Sequence, residues 1–207
     1  KVAVRNGENY LKIKEAKPGM IITISREHGS MGNEIGRLVA ERLNIPFYCK
    51  EMIALAAKES GLDNEFISNM NIMAPTLFCD LYFSTDAVKK AIIAQEEIIR
   101  KIADNGACVI VGRASDYVLK DYENTINIFI HAPFELRVNN IMKMYNDDEV
   151  EASENVKKSD YIRSSYYKIL TGKKWNDSKN YTLCINSSIG ISLCVEQICD
   201  LYNKMNN

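Results

Sequence analysis

Very little in this sequence is concentrated in one place. The 26 basic and 27 acidic residues leave a net charge of −1, so no surplus of either sign is spread over the surface for a nucleic acid or an anionic membrane. No apolar run approaches the roughly 20 residues that span a bilayer. The six cysteines, Cys49, Cys79, Cys108, Cys184, Cys194 and Cys199, form no CxxC pair, and only two histidines accompany them, which excludes a conventional structural zinc site. Repeats, low-complexity tracts and Pro/Gly-rich linkers are also missing. What is present is ordinary globular material: 207 residues, 46% hydrophobic and 26% charged, enough for one domain, or one domain with an attached lid, and a real core. Cys108 and Cys184 lie in apolar runs and read as buried, reduced thiols. The charged opening Lys1–Pro18 has no signal-peptide apolar core, so the expected compartment is the cytoplasm. Residues 1–19 fit no structural unit and stay unassigned; residues 20–207 form the expected domain.

Strand and helix patterns alternate along that domain. Met20–Ser25 is a β-branched run suited to a buried strand, followed by a glycine-bearing turn and an apolar pattern at helical spacing through Leu43. Pro46–Cys49 is a short strand candidate, and two helical pieces are expected between Lys50 and Asn71. A long helix is expected over Ser84–Asn105, opened by a Ser84/Thr85 cap. Strands are expected at Ala107–Val111, Thr125–Ile130 and Tyr181–Asn186. Helices are expected from Pro133 at its first position, over Glu151–Leu170 up to Gly172, and over Ile191–Tyr202. This alternation implies right-handed βαβ crossovers, a mostly parallel sheet and helices on both faces. Ligands of such sheets bind beyond the carboxyl ends of the strands. The turns at Ser25–Gly32, Gly112–Arg113 and His131–Pro133 therefore share one rim.

The first of these turns, SREHGSMGNEIG from Ser25, runs from strand to helix. Glycines let the backbone curl around an anion, and the first amides of the helix converge on it with the positive end of the helix dipole. A strict phosphate loop, GxxxxGK[ST], does not match. Laid over the kinase form GxxGxGKGT, Gly29 and Ser30 keep their places, Met31 replaces a glycine, Gly32 stands where the lysine belongs, and Glu34 stands where the magnesium-binding hydroxyl belongs. The lysine normally neutralises charge between the β- and γ-phosphates, and phosphoryl transfer depends on such electrostatics. Arg26, at the mouth of the turn, is the candidate replacement, since a guanidinium can grip two phosphate oxygens at once. The expected phosphate-binding set is Gly29, Ser30, Met31, Gly32, Asn33 and Glu34. The plainer reading is a tight βα turn, with Arg26 solvated or paired with Glu27.

Four segments together resemble the cytidylate kinase-like family: ITISREHGSMGNEIGRLVAERLNIPFYCKEMI, VIVGRASDYVL, NIFIHAPFELRV and DYIRSSYYKILTGKKWNDSKNYTLCINSSIGI. They run in the expected order from about Met20 to Tyr202. The resemblance implies a phosphate-loop NTPase-type fold with a mostly parallel five-stranded sheet, helices on both faces and a helical lid over about residues 145–178. It implies ATP with Mg²⁺, the metal held mainly through the phosphates, and CMP or a similar monophosphate as acceptor. It also implies that a glycine at the lysine position is a family trait. The family usually carries glycine at Met31 and aspartate at Cys49, so this chain departs from the pattern twice.

Other residues gain meaning from the same resemblance. Gly112-Arg113 is similar to the GR of a motif that contacts the acceptor phosphate, with Asp116 the nearest carboxylate and Lys50 a further acceptor contact. In the basic helix, Asp160-x-x-Arg163 resembles a lid whose arginines close over the transferring phosphate, and Arg137 matches another such position. Arg26, Arg137 and Arg163 are then the catalytic set, with Lys50, Arg113, Asp116 and Asp160 on the acceptor. The plainer readings are an Arg113–Asp116 surface pair and a solvated helical face on the basic helix. Trp175 either stacks a base or seats a loop on the core. Neither His28 nor His131 stands in a nucleophile–base arrangement, and both are left out of the chemistry. A non-catalytic nucleotide-binding module and a kinase for another small molecule remain as alternatives.

Overall fold

A computed structural model describes residues 19–49 and 86–206. The sheet has five strands: β1 (Ile21–Arg26), β2 (Phe47–Tyr48), β3 (Cys108–Val111), β4 (Thr125–His131) and β5 (Leu183–Asn186). Its order is β2-β3-β1-β4-β5, and every pairing is parallel. The expected doubly covered parallel sheet is what the chain forms. The helices are α1 (Gly32–Leu43), α2 (Asp86–Asp104), α3 (Ser115–Val118), α4 (Phe134–Tyr145), α5 (Glu149–Thr171) and α6 (Ile191–Met205).

Strand alternation sorts the core into two faces. Ile22, Ile24, Val109, Val111, Ile128 and Ile130 point toward α1 and α6, where Ile35, Val39, Val195 and Ile198 meet them. Ile21, Cys108 and Ile110 point the other way, onto Ile98, Ile99 and Ile102 of α2 and Val118 of α3. The central strand β1 is buried almost throughout because it is paired on both edges and covered on both faces. Gly36 lets α1 lie close to the sheet: a Cβ there would come within 2.9 Å of Val111.

Boundaries move for local reasons. The backbone at Pro133 has ψ 142°, so it caps α4 from outside and the helix begins at Phe134. The Asp148 side chain accepts from the Glu151 amide, which starts α5 two residues before the expected Glu151. The last strand begins at Leu183, because Ser178–Asn180 forms a 3₁₀ turn just before it. Cys184 is exposed and corrects the expectation of a buried thiol, whereas Cys108 is buried. The expected helices between Lys50 and Asn71, the Ser84/Thr85 cap, Cys79 and the opening segment to Pro18 lie outside the described residues.

Candidate functional site

The turn after β1 is built against α4. The Glu27 amide donates to the Ile130 carbonyl at 3.0 Å, extending the sheet ladder by one residue. The Ser30 hydroxyl then donates back to the Glu27 carbonyl at 2.8 Å and closes the turn. From α4, Asn140 Nδ2 donates to the Gly29 carbonyl at 2.8 Å and Arg137 Nη1 to the His28 carbonyl at 3.1 Å. Gly29 has φ 78°, and a Cβ there would lie 2.5 Å from the Arg137 carbonyl oxygen. Both the dihedral and the close approach require glycine. Met31, the residue before α1, adopts φ 61° and offers no side-chain cap, so the first amides of α1 are left for another acceptor. The left-handed conformation at Met31 costs about 1–2 kcal/mol in a non-glycine residue.

Arg26 explains the glycine that stands in place of the lysine. A Cβ on Gly32 would come within 2.6 Å of Arg26 Cβ and 2.8 Å of its Cγ. The arginine stem already fills the space that a side chain at position 32 would need. Its guanidinium continues to Gly112, where a Cβ would collide with Arg26 Nη1. Gly112, Arg113 and Ala114 follow one another with φ of 82°, 60° and 50°. Such a run is costly for residues with side chains, and it wraps the end of β3 around the arginine tip.

Two clefts open on this rim. One, of about 290 Å³, is lined by Arg26, Gly29, Gly32, Asn33 and Arg163 together with the apolar or aromatic Ile141, Met144 and Tyr145. The second, about 40 Å³, is lined by Ser25, Arg26, Gly112, Arg113, Arg163 and Trp175 among others. Arg26 and Arg163 line both.

Helix α5 is docked on the turn through charge. Asp160 accepts from the His28 amide at 2.7 Å and from Arg137 Nη1 at 2.5 Å. Arg137 also lies 3.2 Å from Glu27 and donates to the Ala132 carbonyl at 3.1 Å. One turn along α5, Arg163 reaches the Arg26 carbonyl at 3.4 Å, His28 Nδ1 at 3.2 Å and Asp160 at 3.7 Å. Burial, and then the Arg163 guanidinium beside it, lower the His28 pKa to about 4, so the ring is neutral. Burial also lowers the pKa of Arg163.

The expected site residues divide accordingly. Arg26, Gly29, Met31, Gly32, Asn33, Arg113 and Arg163 come together around the two clefts. Four others are placed elsewhere. Ser30 is buried and spends its hydroxyl inside the turn. Glu34 turns along α1 to Arg37, at 2.6 Å and 3.0 Å, and is not part of the cleft wall. Its carboxyl is held below its ordinary range by that hydrogen bond. Arg137, only 7% exposed, braces the turn from behind instead of lining the cleft. Asp116 is buried and accepts from the Tyr167 hydroxyl at 2.7 Å; it lines neither cleft and forms no surface pair. Burial raises its pKa, against the pull of that hydroxyl. Asp160 acts on the turn's own backbone, and Lys50 lies outside the described residues. Trp175 seats its loop, edge-on to Phe129 at 5.3 Å, while also bordering the smaller cleft. The sequence reading missed His28 and the apolar lining of the larger cleft at Ile141, Met144 and Tyr145. His28 meets Arg163 across 135 residues, and no local pattern encodes that contact.

A family model for the cytidylate kinase-like family matches residues 21–189. The chain belongs to the cytidylate kinase-like family. It is 27% identical over 175 residues to a cytidylate kinase of Methanocaldococcus jannaschii, covering 82% of this chain and 89% of that protein. Among solved structures it is similar to an uncharacterized protein from Eubacterium ventriosum, with a TM-score of 0.72, 28% identity, and coverage of 89% of this chain and 98% of the other. A gluconokinase from Sinorhizobium meliloti shares the fold, with a TM-score of 0.55 at 13% identity over 92% of this chain and 95% of its own. So does a shikimate kinase from Bacteroides thetaiotaomicron, with a TM-score of 0.54 at 11% identity over 89% and 98%. Membership makes this cytidylate kinase-like chain a nucleotide-kinase type of phosphotransferase. Among the described residues no helix is long and apolar enough to cross a membrane.

Proposed function

We propose that the protein transfers the γ-phosphoryl group of ATP to CMP or a similar nucleoside monophosphate, by direct in-line displacement. The supporting observation is the pair of clefts that share Arg26 and Arg163 as a common wall. The larger cleft combines amides and guanidiniums that suit phosphate with apolar and aromatic lining at Ile141, Met144 and Tyr145 that suits a base. The smaller offers Arg113 to an acceptor phosphate. A phosphoryl group crossing between them passes the two shared arginines, where negative charge on its equatorial oxygens is met by preorganised donors.

Each residue then has a task. The amides at the start of α1 hold the β- and γ-phosphate oxygens, Arg26 supplies the positive charge of the missing lysine, and Arg163 meets the transferring group. Arg113 orients the acceptor. Arg137 and Asp160 do not touch substrate; they fix the turn and α5 in register. Among the described residues the donors lining the larger cleft are nitrogen-rich, and Glu27, the one carboxylate there, is engaged by Arg137 and the Ala132 amide. Mg²⁺ would then be held through the phosphates of ATP and would neutralise charge on the triphosphate. The proposed setting is the cytoplasm, with small-molecule nucleotides, and neither nucleic acid nor membrane, as partners.

The test is ADP release from purified protein supplied with Mg²⁺-ATP and each nucleoside monophosphate in turn. Turnover with CMP or a close relative is expected, and no turnover above buffer with any of them overturns the reading. The competing reading, a nucleotide-binding module without catalysis, is favoured by Glu34, which pairs with Arg37 where a metal-binding hydroxyl would stand. It predicts thermal stabilisation by ATP with no ADP formed.

A further inference from the structure

His28 is a cleft-lining titratable group that this mechanism has not used. Its Nδ1 stands 3.2 Å from Arg163 Nη2. A guanidinium has five N–H donors and no acceptor, so Nδ1 must accept with its lone pair. The ring is then neutral, with its hydrogen on Nε2. Among the described residues that nitrogen is buried without a hydrogen-bond partner. The ring orientation therefore satisfies Arg163 at the expense of its own second nitrogen, which is a cost to the folded state.

The rest of the geometry converges on the same contact. Arg163 makes longer contacts to the Arg26 carbonyl, 3.4 Å, and to Asp160, 3.7 Å, so the histidine is its closest anchor. Asp160, one helical turn before Arg163, grips the backbone amide of the same histidine. Two residues on one face of α5 thus hold His28 by main chain and ring together. The charged groups facing the ring are Arg163, Arg26, Arg137 and Asp160; three are cations that disfavour a charged imidazole, and one carboxylate favours it. The neutral histidine anchors the guanidinium without adding a second carboxylate to the more distant Asp160, so more of its charge is left for a ligand than a carboxylate at 3.2 Å would leave.

We propose that His28 is a positioning residue whose Nδ1 lone pair seats the Arg163 guanidinium at the wall between the two clefts before any ligand arrives. The consequence for rate rests on the phosphotransfer reading above; the contact itself does not. Preorganised donors spare the reorganisation that a free arginine would undergo during transfer.

The experiment has a spectroscopic arm and a kinetic arm. With only two histidines in the chain, long-range ¹H–¹⁵N spectra resolve each ring. His28 is expected as the Nε2–H tautomer, and Arg163→Ala is expected to shift its Nδ1 resonance. In His28→Phe, the Arg163 guanidinium is expected to lose its restricted signal. A protonated Nδ1, or spectra indifferent to both substitutions, overturns the proposal whether or not the protein turns over. In the kinetic arm, His28→Phe lowers kcat by about ten- to a hundred-fold, the range for a lost hydrogen bond to a charged group, with KM nearly unchanged. His28→Asn, whose amide oxygen can replace Nδ1, recovers most of the rate. In an Arg163→Ala background, His28→Phe costs nothing further; additive losses would mean that the histidine does not act through Arg163.

Discussion

At the scale of single residues, the site is a set of exchanges forced by volume and charge. Gly32 has no side chain because the Arg26 stem lies across it, and Gly112 has none because its φ of 82° strains any side chain. The lysine of a strict phosphate loop could not be restored at position 32 without displacing Arg26. The turn itself was legible in the sequence, since glycines between a β-branched strand and an amphipathic helix are a local pattern. The roles of Asp116 and Glu34 were not, because sequence spacing cannot tell which way a carboxylate turns. Asp116 turned inward to Tyr167 and Glu34 along α1 to Arg37. Asp116→Ala takes the carboxylate acceptor from a buried phenolic hydroxyl and leaves it Tyr181 as a side-chain partner, and a loss of about 1–3 kcal/mol is expected in urea unfolding. The KM for the acceptor should stay within about twofold. A large acceptor KM change without loss of stability would return Asp116 to the binding site.

At the scale of elements, the docking of α5 onto the first turn carries the argument. Asp160 and Arg163 are one turn apart on α5, while Arg137 and Asn140 are one turn apart on α4. Together they fix the Glu27–Gly29 backbone by its amide at His28 and its carbonyls at His28 and Gly29. The sequence revealed the helix and its charged face but favoured solvation for such a face. Only pairing with a buried arginine on another helix makes it structural, and that pairing spans 23 residues. Arg137→Ala leaves Glu27 and Asp160 without their shared cation. A loss at the low end of about 3–5 kcal/mol is expected, because both carboxylates keep some solvent. Urea unfolding at neutral pH checks it, and a loss below about 1 kcal/mol would contradict the bracing role.

At the scale of the whole molecule, a mostly parallel sheet covered on both faces was readable from the alternation of strands and helices, since burial on both faces demands continuous β-branched runs, and the resemblance added its five strands. The convergence of β1, β3 and α5 on one rim follows from topology and not from any local motif. Acid should expose that convergence. The His28 pKa falls from 6.5 to about 4 on folding, so between those values the unfolded chain binds a proton that the native state refuses. Stability therefore falls as pH drops from 6.5 toward 4. The fall should be shallower in His28→Phe, and melting curves of both proteins across that range measure the difference. Equal slopes would place the histidine in water.

The central claim is that Arg26 supplies the cation for a polyphosphate held at the first turn. Arg26→Met keeps the stem against Gly32 and removes only the guanidinium, so calorimetric titration of that variant with Mg²⁺-ATP isolates the charge. The account predicts a dissociation constant at least about tenfold weaker, as expected when a charge-assisted hydrogen bond is lost. An unaltered dissociation constant in a folded Arg26→Met protein would contradict it.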